Sequence, residues 1–255
     1  MIDLTDSHAH LDDGSFDPDR AEVMQRAAEA GVRRVVVPAI HRDSWAGIER
    51  LCRDYPQALP AYGLHPIYLE QHRPEHVAEL TRWLKDHPAV AVGEIGLDFF
   101  LEELDHERQR SYFEQQLHVA REFDLPVIVH ARRAMDEVTA TLRRIGGLRG
   151  VVHSFAGSEQ QAEQLWRLGF CLGIGGPVTY ERAQRLRRIV AGMPLDYLLL
   201  ETDAPDQPGA GHRGQRNEPA HLIEVLRVVA QLRGDSAENI AAATSANAAK
   251  LFGCR

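Results

Sequence analysis

An eightfold alternation of pattern constrains this chain more than any other feature. Short apolar runs rich in β-branched residues recur along its length, each followed by a longer stretch with helical periodicity. The runs Ile2 to Thr5, Arg34 to Val37, Leu59 to Gly63, Val90 to Gly93, Val127 to Val129, Gly150 to Val152, Phe170 to Ile174 and Tyr197 to Glu201 predict eight strands. Helices are predicted over Pro18 to Ala30, Arg42 to Tyr55, Pro74 to His87, Asp105 to Phe123, Ala134 to Arg144, Ser158 to Leu168, Glu181 to Val190, Glu218 to Leu232 and Ser236 to Phe252. Gly31, Pro56 and Pro88 punctuate the ends of the first three. Strand–helix repetition predicts a parallel sheet, and eight units predict its closure into a (β/α)8 TIM barrel. A doubly wound open sheet would want a GxGxxG turn after the first strand; here that strand runs into Asp6-Ser7-His8-Ala9-His10. No Pro-, Ser- or Gly-rich linker interrupts the pattern, so residues 1–255 read as one domain.

Several classes of function are excluded on composition. No run approaches the ~18 apolar residues of a membrane helix, and the first residues have neither the cationic patch nor the apolar segment of a secretory signal. The cysteines, Cys52, Cys171 and Cys254, are too scattered for a disulfide scaffold or a CxxC knuckle and fit a reducing cytoplasm. A net charge of −8 is incompatible with a polycationic nucleic-acid coat, so a nucleic-acid ligand would depend on local arginines or bound cations. Only Lys85 and Lys250 among the 29 basic residues are lysines, and both fall on predicted helices. That placement weakens a Schiff-base mechanism and a carboxylated-lysine metal bridge. Neither a P-loop nor a GxSxG elbow is present.

The predicted C-terminal strand ends carry the chemistry. The first gives His8 and His10, the third His65, the fourth Glu94, the fifth His130, the sixth His153, and the eighth Glu201 and Asp203. In a parallel barrel all these ends open on one mouth. His8 and His10 are two residues apart, so on a strand they face one side. Imidazoles and carboxylates together suit Zn²⁺, Mn²⁺, Co²⁺ or Fe²⁺ better than Ca²⁺. Six donors exceed one catalytic zinc site and match two ions sharing a carboxylate, with Glu94 central in strand order as the bridge. The other histidines, among them His41, His72, His76, His87, His106, His118, His212 and His221, fall on predicted helices or loops and are expected at the surface.

These residues occur in ordered motifs: Asp6-Ser7-His8-Ala9-His10-Leu11, Gly63-Leu64-His65-Pro66, Gly93-Glu94-Ile95-Gly96-Leu97-Asp98, Pro126 to His130, Val152-His153-Ser154-Phe155-Ala156-Gly157 and Glu201-Thr202-Asp203-Ala204-Pro205, followed by Arg213-Gly214-Gln215-Arg216-Asn217-Glu218-Pro219. The set resembles the TatD family of metal-dependent deoxyribonucleases over nearly the whole chain. The resemblance implies a two-metal hydrolase. One ion would take His8, His10, Glu94 and Asp203, and the second would share Glu94 and take His130 and His153. It also implies a Mg²⁺- or Mn²⁺-dependent nuclease whose histidine-rich site can hold zinc, with DNA, single-stranded or at 3′ ends, as the substrate. Ala9 and Ser154 stand where the family often has cysteine, and Phe99-Phe100 where it often has a pair containing tyrosine.

A dinuclear centre lowers the pKa of a bound water and polarises the group under attack. Asp203 is expected to bind one ion through one oxygen and take the water's proton on its free second oxygen. His65 is expected at the scissile phosphate or leaving group, or as a hydrogen-bond partner behind the metals. Gly175 and Gly176, in the turn after strand seven, are candidates for holding phosphate through backbone N–H groups, with a tight turn as the alternative. Arg213 and Arg216 could pair with backbone phosphates, and Asn217 could cap the following helix. The run Arg182, Arg185, Arg187 and Arg188 reads as a solvated helix face. Two other readings keep the same metals: a hydrolase of a small ester, amide, lactone or phosphotriester, and a non-catalytic metal-binding protein. The mouth discriminates between the two enzymes. A nuclease needs an open groove with arginines and a stacking aromatic, for which Phe99, Phe100 and Phe155 are available; a small-molecule enzyme needs a closed apolar pocket.

Overall fold

The computed structural model describes residues 2–253; Cys254 lies outside the described residues. Eight strands, β1 (Leu4–Asp6), β2 (Val32–Pro38), β3 (Ala58–Tyr62), β4 (Ala91–Asp98), β5 (Val127–Arg132), β6 (Gly150–Val152), β7 (Phe170–Ile174) and β8 (Leu198–Leu200), form one sheet in sequence order. Every paired neighbour is parallel. The seam between β8 and β1 is drawn together just above the strands. Ser7 N–H donates to the Leu200 carbonyl at 3.0 Å and Asp203 N–H to the His8 carbonyl at 2.9 Å. The Asp6 carboxylate takes the Thr202 N–H at 3.0 Å and lies 2.5 Å from the Thr202 hydroxyl. The sheet thus forms a nearly closed (β/α)8 barrel.

Helices α1 (Arg20–Glu29), α2 (Trp45–Asp54), α3 (Glu75–Asp86), α4 (His106–Glu122), α5 (Met135–Ile145), α6 (Glu159–Arg167), α7 (Gln184–Gly192), α8 (Leu222–Arg233) and α9 (Ala237–Phe252) flank it. No described helix is long and apolar enough to cross a membrane. Most departures from the predicted spans are of one to three residues. The large one is β4, which runs five residues past its predicted end; its Gly-rich GEIGLD sequence has little intrinsic strand propensity and is held by pairing with β5. A 3-10 stretch, Pro66–Gln71, also follows β3 unpredicted. The chain beyond it buries His72 and His76, against the surface position expected for both. His72 donates to the His65 carbonyl at 2.8 Å and packs beside Tyr112, so a polar ring in a loop finds both a hydrogen bond and an apolar wall.

The lumen explains how the strands aim their ends. Val36, Ala61, Ala91, Ile128, Val151, Cys171 and Leu199 come one from each of seven strands and pack as one small cluster with Ala248, Leu251 and Phe252 of α9. Residues drawn from around the ring can meet only inside it, so α9 plugs the floor. Side chains two apart on a strand share a face. Ile128 therefore leads to His130, Val151 to His153, and Leu199 to Glu201. On β4 the same rule from Ala91 would aim Gly93 and Ile95 inward. The pairing of β4 with β5 slips between Val92 and Ile95, so Ile95 joins the core under the helices and Glu94 turns to the lumen.

Candidate metal centre

Glu94 stands at the middle of the mouth and is 2% exposed. Its two oxygens face different groups. Oε2 lies 3.3 Å from His8 Nε2 and 3.5 Å from His10 Nε2. Oε1 lies 2.8 Å from His153 Nε2, 2.9 Å from His65 Nε2 and 3.1 Å from His130 Nδ1. Asp203 Oδ1 closes the first group at 3.5 Å from His8 Nε2 and 3.7 Å from His10 Nε2. All six proposed ligands are therefore brought together.

Hydrogen bonds on the far side of the rings decide which nitrogens carry lone pairs. His10 Nδ1 donates to the Pro38 carbonyl at 3.3 Å, and His130 Nε2 donates to Asp98 Oδ2 at 2.9 Å. Carbonyl and carboxylate oxygens only accept, so these bonds keep a proton on His10 Nδ1 and His130 Nε2 and turn His10 Nε2 and His130 Nδ1 toward the site as the nitrogens available to a cation. His65 is the opposite case. Its Nδ1 accepts the Ile67 N–H at 3.2 Å, which leaves the proton on Nε2 to be donated to Glu94. His65 is thus a donor to Glu94 in its neutral form. Nitrogens also crowd together: His8 Nε2 and His10 Nε2 are 3.2 Å apart, and His130 Nδ1 and His153 Nε2 are 3.3 Å apart. Ring nitrogens converging beside two carboxylates fit a cation, and the cluster can chelate one or two divalent ions.

The electrostatics agree. Burial raises the Glu94 carboxyl, but the imidazoles of His65, His153 and His8 outweigh it and hold the group well below the usual range. Burial lowers the His8 imidazole well below its usual value and brings His65 to about 4. For His130 and His153 burial is overcome by their carboxylate neighbours, Asp98 and Glu94 for the one and Glu94 and Glu201 for the other, and both are raised. Burial pushes Asp203 up to about 6.

A supporting layer fixes these rings. Asp98 Oδ1 accepts the Phe100 N–H at 2.9 Å, so the carboxylate that holds His130 is itself pinned. Buried Gln109 of α4 brackets the Asp98 backbone, accepting its N–H at 2.8 Å and donating to its carbonyl at 2.9 Å. Gln116, two turns on, does the same for Leu64 beside His65, at 2.7 and 3.1 Å. Sequence reasoning misses both glutamines, although both fall on the apolar stripe of their helix, where a polar side chain signals a buried hydrogen bond. Glu201 Oε1 accepts the Ser154 N–H at 2.6 Å, and a Cβ at Gly173 would lie 2.1 Å from its Oε2, so only glycine fits there. The second oxygen of Asp203, expected to be free, accepts from the Gln207 amide, whose own oxygen accepts the Ser154 hydroxyl at 2.8 Å.

The predicted substrate contacts are more dispersed. His10, His65, Glu94, His130, His153 and Asp203 line a cavity of about 1160 Å³ together with Phe99, Phe100, Arg132 and Arg133. Phe155 is buried in the core under the helices. Gly175 and Gly176 are buried, and a Cβ on Gly176 would fall 2.1 Å from the Gln207 carbonyl, so this turn packs against the loop after β8. Arg213 is exposed on that loop, outside the cavity lining. Arg216 pairs with Asp19 at 2.7 Å and lies over the Phe16 ring. Asn217 staples the loop, donating to the carbonyls of Thr202 and Asp206 and accepting the Glu218 N–H; α8 starts only at Leu222, after a 3-10 turn at Pro219–His221.

Comparison with known proteins gives the same fold and a family. A family model described as TatD related DNase matches residues 5–253. The uncharacterized metal-dependent hydrolase YjjV of Escherichia coli K12 is 44% identical over 250 residues, covering 97% of this chain and 96% of its own length. Its crystal structure superposes with a TM-score of 0.95 at 41% identity, covering 99% of this chain and 98% of that one. The 3′-5′ ssDNA/RNA exonuclease TatD of Erwinia tasmaniensis is 35% identical over 257 residues, covering 98% of this chain and 99% of its own.

Proposed function

The chain belongs to the family of TatD-related DNases, metal-dependent hydrolases, and on that premise we propose that it hydrolyses phosphodiester bonds at the ends of single-stranded nucleic acid, in the 3′-5′ direction, using two divalent ions. The carrying observation is the division of Glu94, one oxygen toward His8 and His10 and the other toward His130 and His153. His8, His10, Glu94 and Asp203 would hold one ion, and Glu94, His130 and His153 the other. Zn²⁺, Mn²⁺ or Mg²⁺, when bound, supplies Lewis acidity and a water acidified toward neutral pH.

The chain's own groups do the rest. Asp203 Oδ2 is oriented by Gln207 and keeps a lone pair to take the proton of the attacking water. His65 holds Glu94 in place through its Nε2 proton and lines the cavity where the scissile phosphate must sit. The cavity exceeds the ~300–1,000 Å³ of ordinary small-ligand pockets and carries two arginines and two phenylalanines on its wall, which favours a nucleic-acid strand over a small apolar ester. Arg213, exposed on the loop after β8, would meet a longer strand, whereas Arg216, Gly175 and Gly176 would hold the shape of that loop.

The test uses protein stripped of metal and refilled with Mg²⁺, Mn²⁺ or Zn²⁺, given end-labelled single-stranded DNA beside ester and amide substrates. Metal-dependent shortening of the DNA from one end is expected, with Asp203→Asn at least about a hundredfold slower and folded as the parent is. Absence of DNA cleavage under every metal, with robust ester turnover, would establish the small-molecule hydrolase instead.

A further inference from the structure

The rim of the cavity is charged unequally. In a ring of eight strands in sequence order, the ends of β4 and β5 lie opposite those of β8 and β1. Past β4 comes Phe100, one of only two large hydrophobic residues that are exposed among those described, at 41%. From β5 come Arg132 and Arg133, whose guanidinium carbons lie 3.6 and 4.7 Å from the centre of the Phe100 ring. Arg132 is two residues beyond His130 on the same strand face. Arg133 takes a left-handed backbone conformation, φ 54°, which costs a non-glycine residue about 1–2 kcal/mol and brings its guanidinium to the same ring.

These two are the only arginines or lysines lining the cavity among the described residues, and neither guanidinium makes a hydrogen bond or ion pair there. Of the acids lining the cavity on their side, Glu137 is ion-paired with Arg110, and Asp136 accepts from the Gln161 amide at 2.7 Å. The facing rim is anionic, with Asp12 and Asp13 after β1 and Asp206 after β8, and no cation lines it among the described residues.

We propose, resting on the nucleic-acid reading above, that Phe100, Arg132 and Arg133 form a subsite for the nucleotide next to the scissile bond, and that the aspartates opposite deny the strand an exit on their side. The guanidinium groups hold backbone phosphates, and the ring–guanidinium stack offers a platform for a base. A polyanionic chain can then leave the site only over the β4–β5 rim, which makes the enzyme act on ends.

The test measures binding of a fluorescent, phosphorothioate-linked ten-nucleotide oligothymidylate to metal-loaded protein over a series of salt concentrations. For Arg132→Gln/Arg133→Gln the affinity is expected to fall at least about tenfold. The slope of log K against log salt should flatten by about 1.4, since each phosphate contact on a single strand contributes about 0.7. Phe100→Ala, a second and smaller change, should lose several-fold in affinity at unchanged slope. Circular single-stranded DNA should resist the parent protein and become a substrate of Asp13→Asn/Asp206→Asn. Parental affinity and slope in the arginine variant, with the parent protein still cleaving linear DNA, would overturn the subsite and leave the nuclease reading standing. Equal cleavage of circular and linear strands by the parent would overturn the one-sided rim. A parent protein that cleaves no nucleic acid under any metal would remove both.

Discussion

His130 donates from Nε2 to Asp98 Oδ2 at 2.9 Å, and that bond turns its Nδ1 toward Glu94, 3.1 Å from Oε1. Because Asp98 Oδ1 is already committed to the Phe100 N–H, the carboxylate cannot rotate away. One side chain on β4 thus selects the tautomer of a ring on β5, and the ring in turn offers a ligand nitrogen to the centre.

Asp98→Asn should break this selection while keeping the shape. The amide oxygen is needed by Phe100 N–H, so the amide NH₂ faces His130 Nε2 and demands an acceptor there. The imidazole proton then moves to Nδ1, the wrong nitrogen for a metal. Affinity for the ion on the His130–His153 side is expected to drop about 10–100-fold, with the other ion retained. Competition against a chelating dye reads both affinities. Two ions held as tightly as in the parent protein would show that Asp98 does not set the tautomer.

Removal of metal should also be felt as a loss of stability. Without a cation, ring nitrogens and carboxylates crowd together in a buried site, with His8 and His10 Nε2 at 3.2 Å and His130 Nδ1 and His153 Nε2 at 3.3 Å. An ion present at a hundred times its dissociation constant adds about 2.7 kcal/mol, and a chain of this size shifts roughly 2–4 °C per kcal/mol. Chelation is therefore expected to lower the thermal midpoint by about 5–10 °C, and refilling should restore it. A midpoint indifferent to chelator would mean that the folded chain gains nothing from the ion.

What is legible in the sequence is whatever depends on period. The eight strands announce themselves by β-branched runs, and once their parallel order is granted, two-residue parity carries Ile128 to His130 and Val151 to His153. Glu94 is legible for a different reason: its motif stands out chemically, while the slip of register that points it inward is a property of pairing with β5 and leaves no trace in a local pattern. The loops after β7 and β8 are the least legible. Gly175 and Gly176 suggest a phosphate cradle, but glycine serves close backbone packing equally well, and there it meets the Gln207 carbonyl. Arg216 looks available because its partner, Asp19, is distant in sequence.

Gln116 provides a test of the supporting layer. Its amide satisfies both the N–H and the carbonyl of Leu64, the residue before His65, across 52 positions of sequence. Gln116→Leu fills the same volume and leaves two buried backbone groups unpaired, each worth about 1–3 kcal/mol. A loss of about 3 kcal/mol is expected, read as a fall of roughly 6–12 °C in thermal midpoint. Gln116→Glu, which still accepts from the N–H but can donate to the carbonyl only by taking up a proton, should fall between leucine and the parent. A leucine variant as stable as the parent would show that these backbone groups find other partners.

The barrel seam holds a buried carboxyl. Asp6 is completely buried, and that burial raises its carboxyl to about 8 against the hydrogen bonds from Thr202 and the His8 N–H that oppose the shift. Across the interval from the ordinary carboxyl value of 3.8 up to about 8, the folded chain retains a proton that the unfolded chain has released. The folded state binds more protons there, so this group makes stability fall as pH rises through the window and level off above it. The Thr202 hydroxyl donates to Oδ2 of the ionised carboxylate and its N–H to Oδ1; when Asp6 is protonated, the hydroxyl, free to rotate, accepts the carboxyl O–H instead. Asparagine can reproduce both bonds, its NH₂ replacing the carboxyl O–H, and it does not titrate. Urea midpoints of metal-free Asp6→Asn and parent protein are therefore expected to lie close together at pH 5 and to separate in favour of the variant up to pH 8, by at least about 1.4 kcal/mol, the free energy of a tenfold difference in proton affinity. Midpoints that run parallel from pH 5 to pH 9 would mean that the seam aspartate is already ionised in the folded protein.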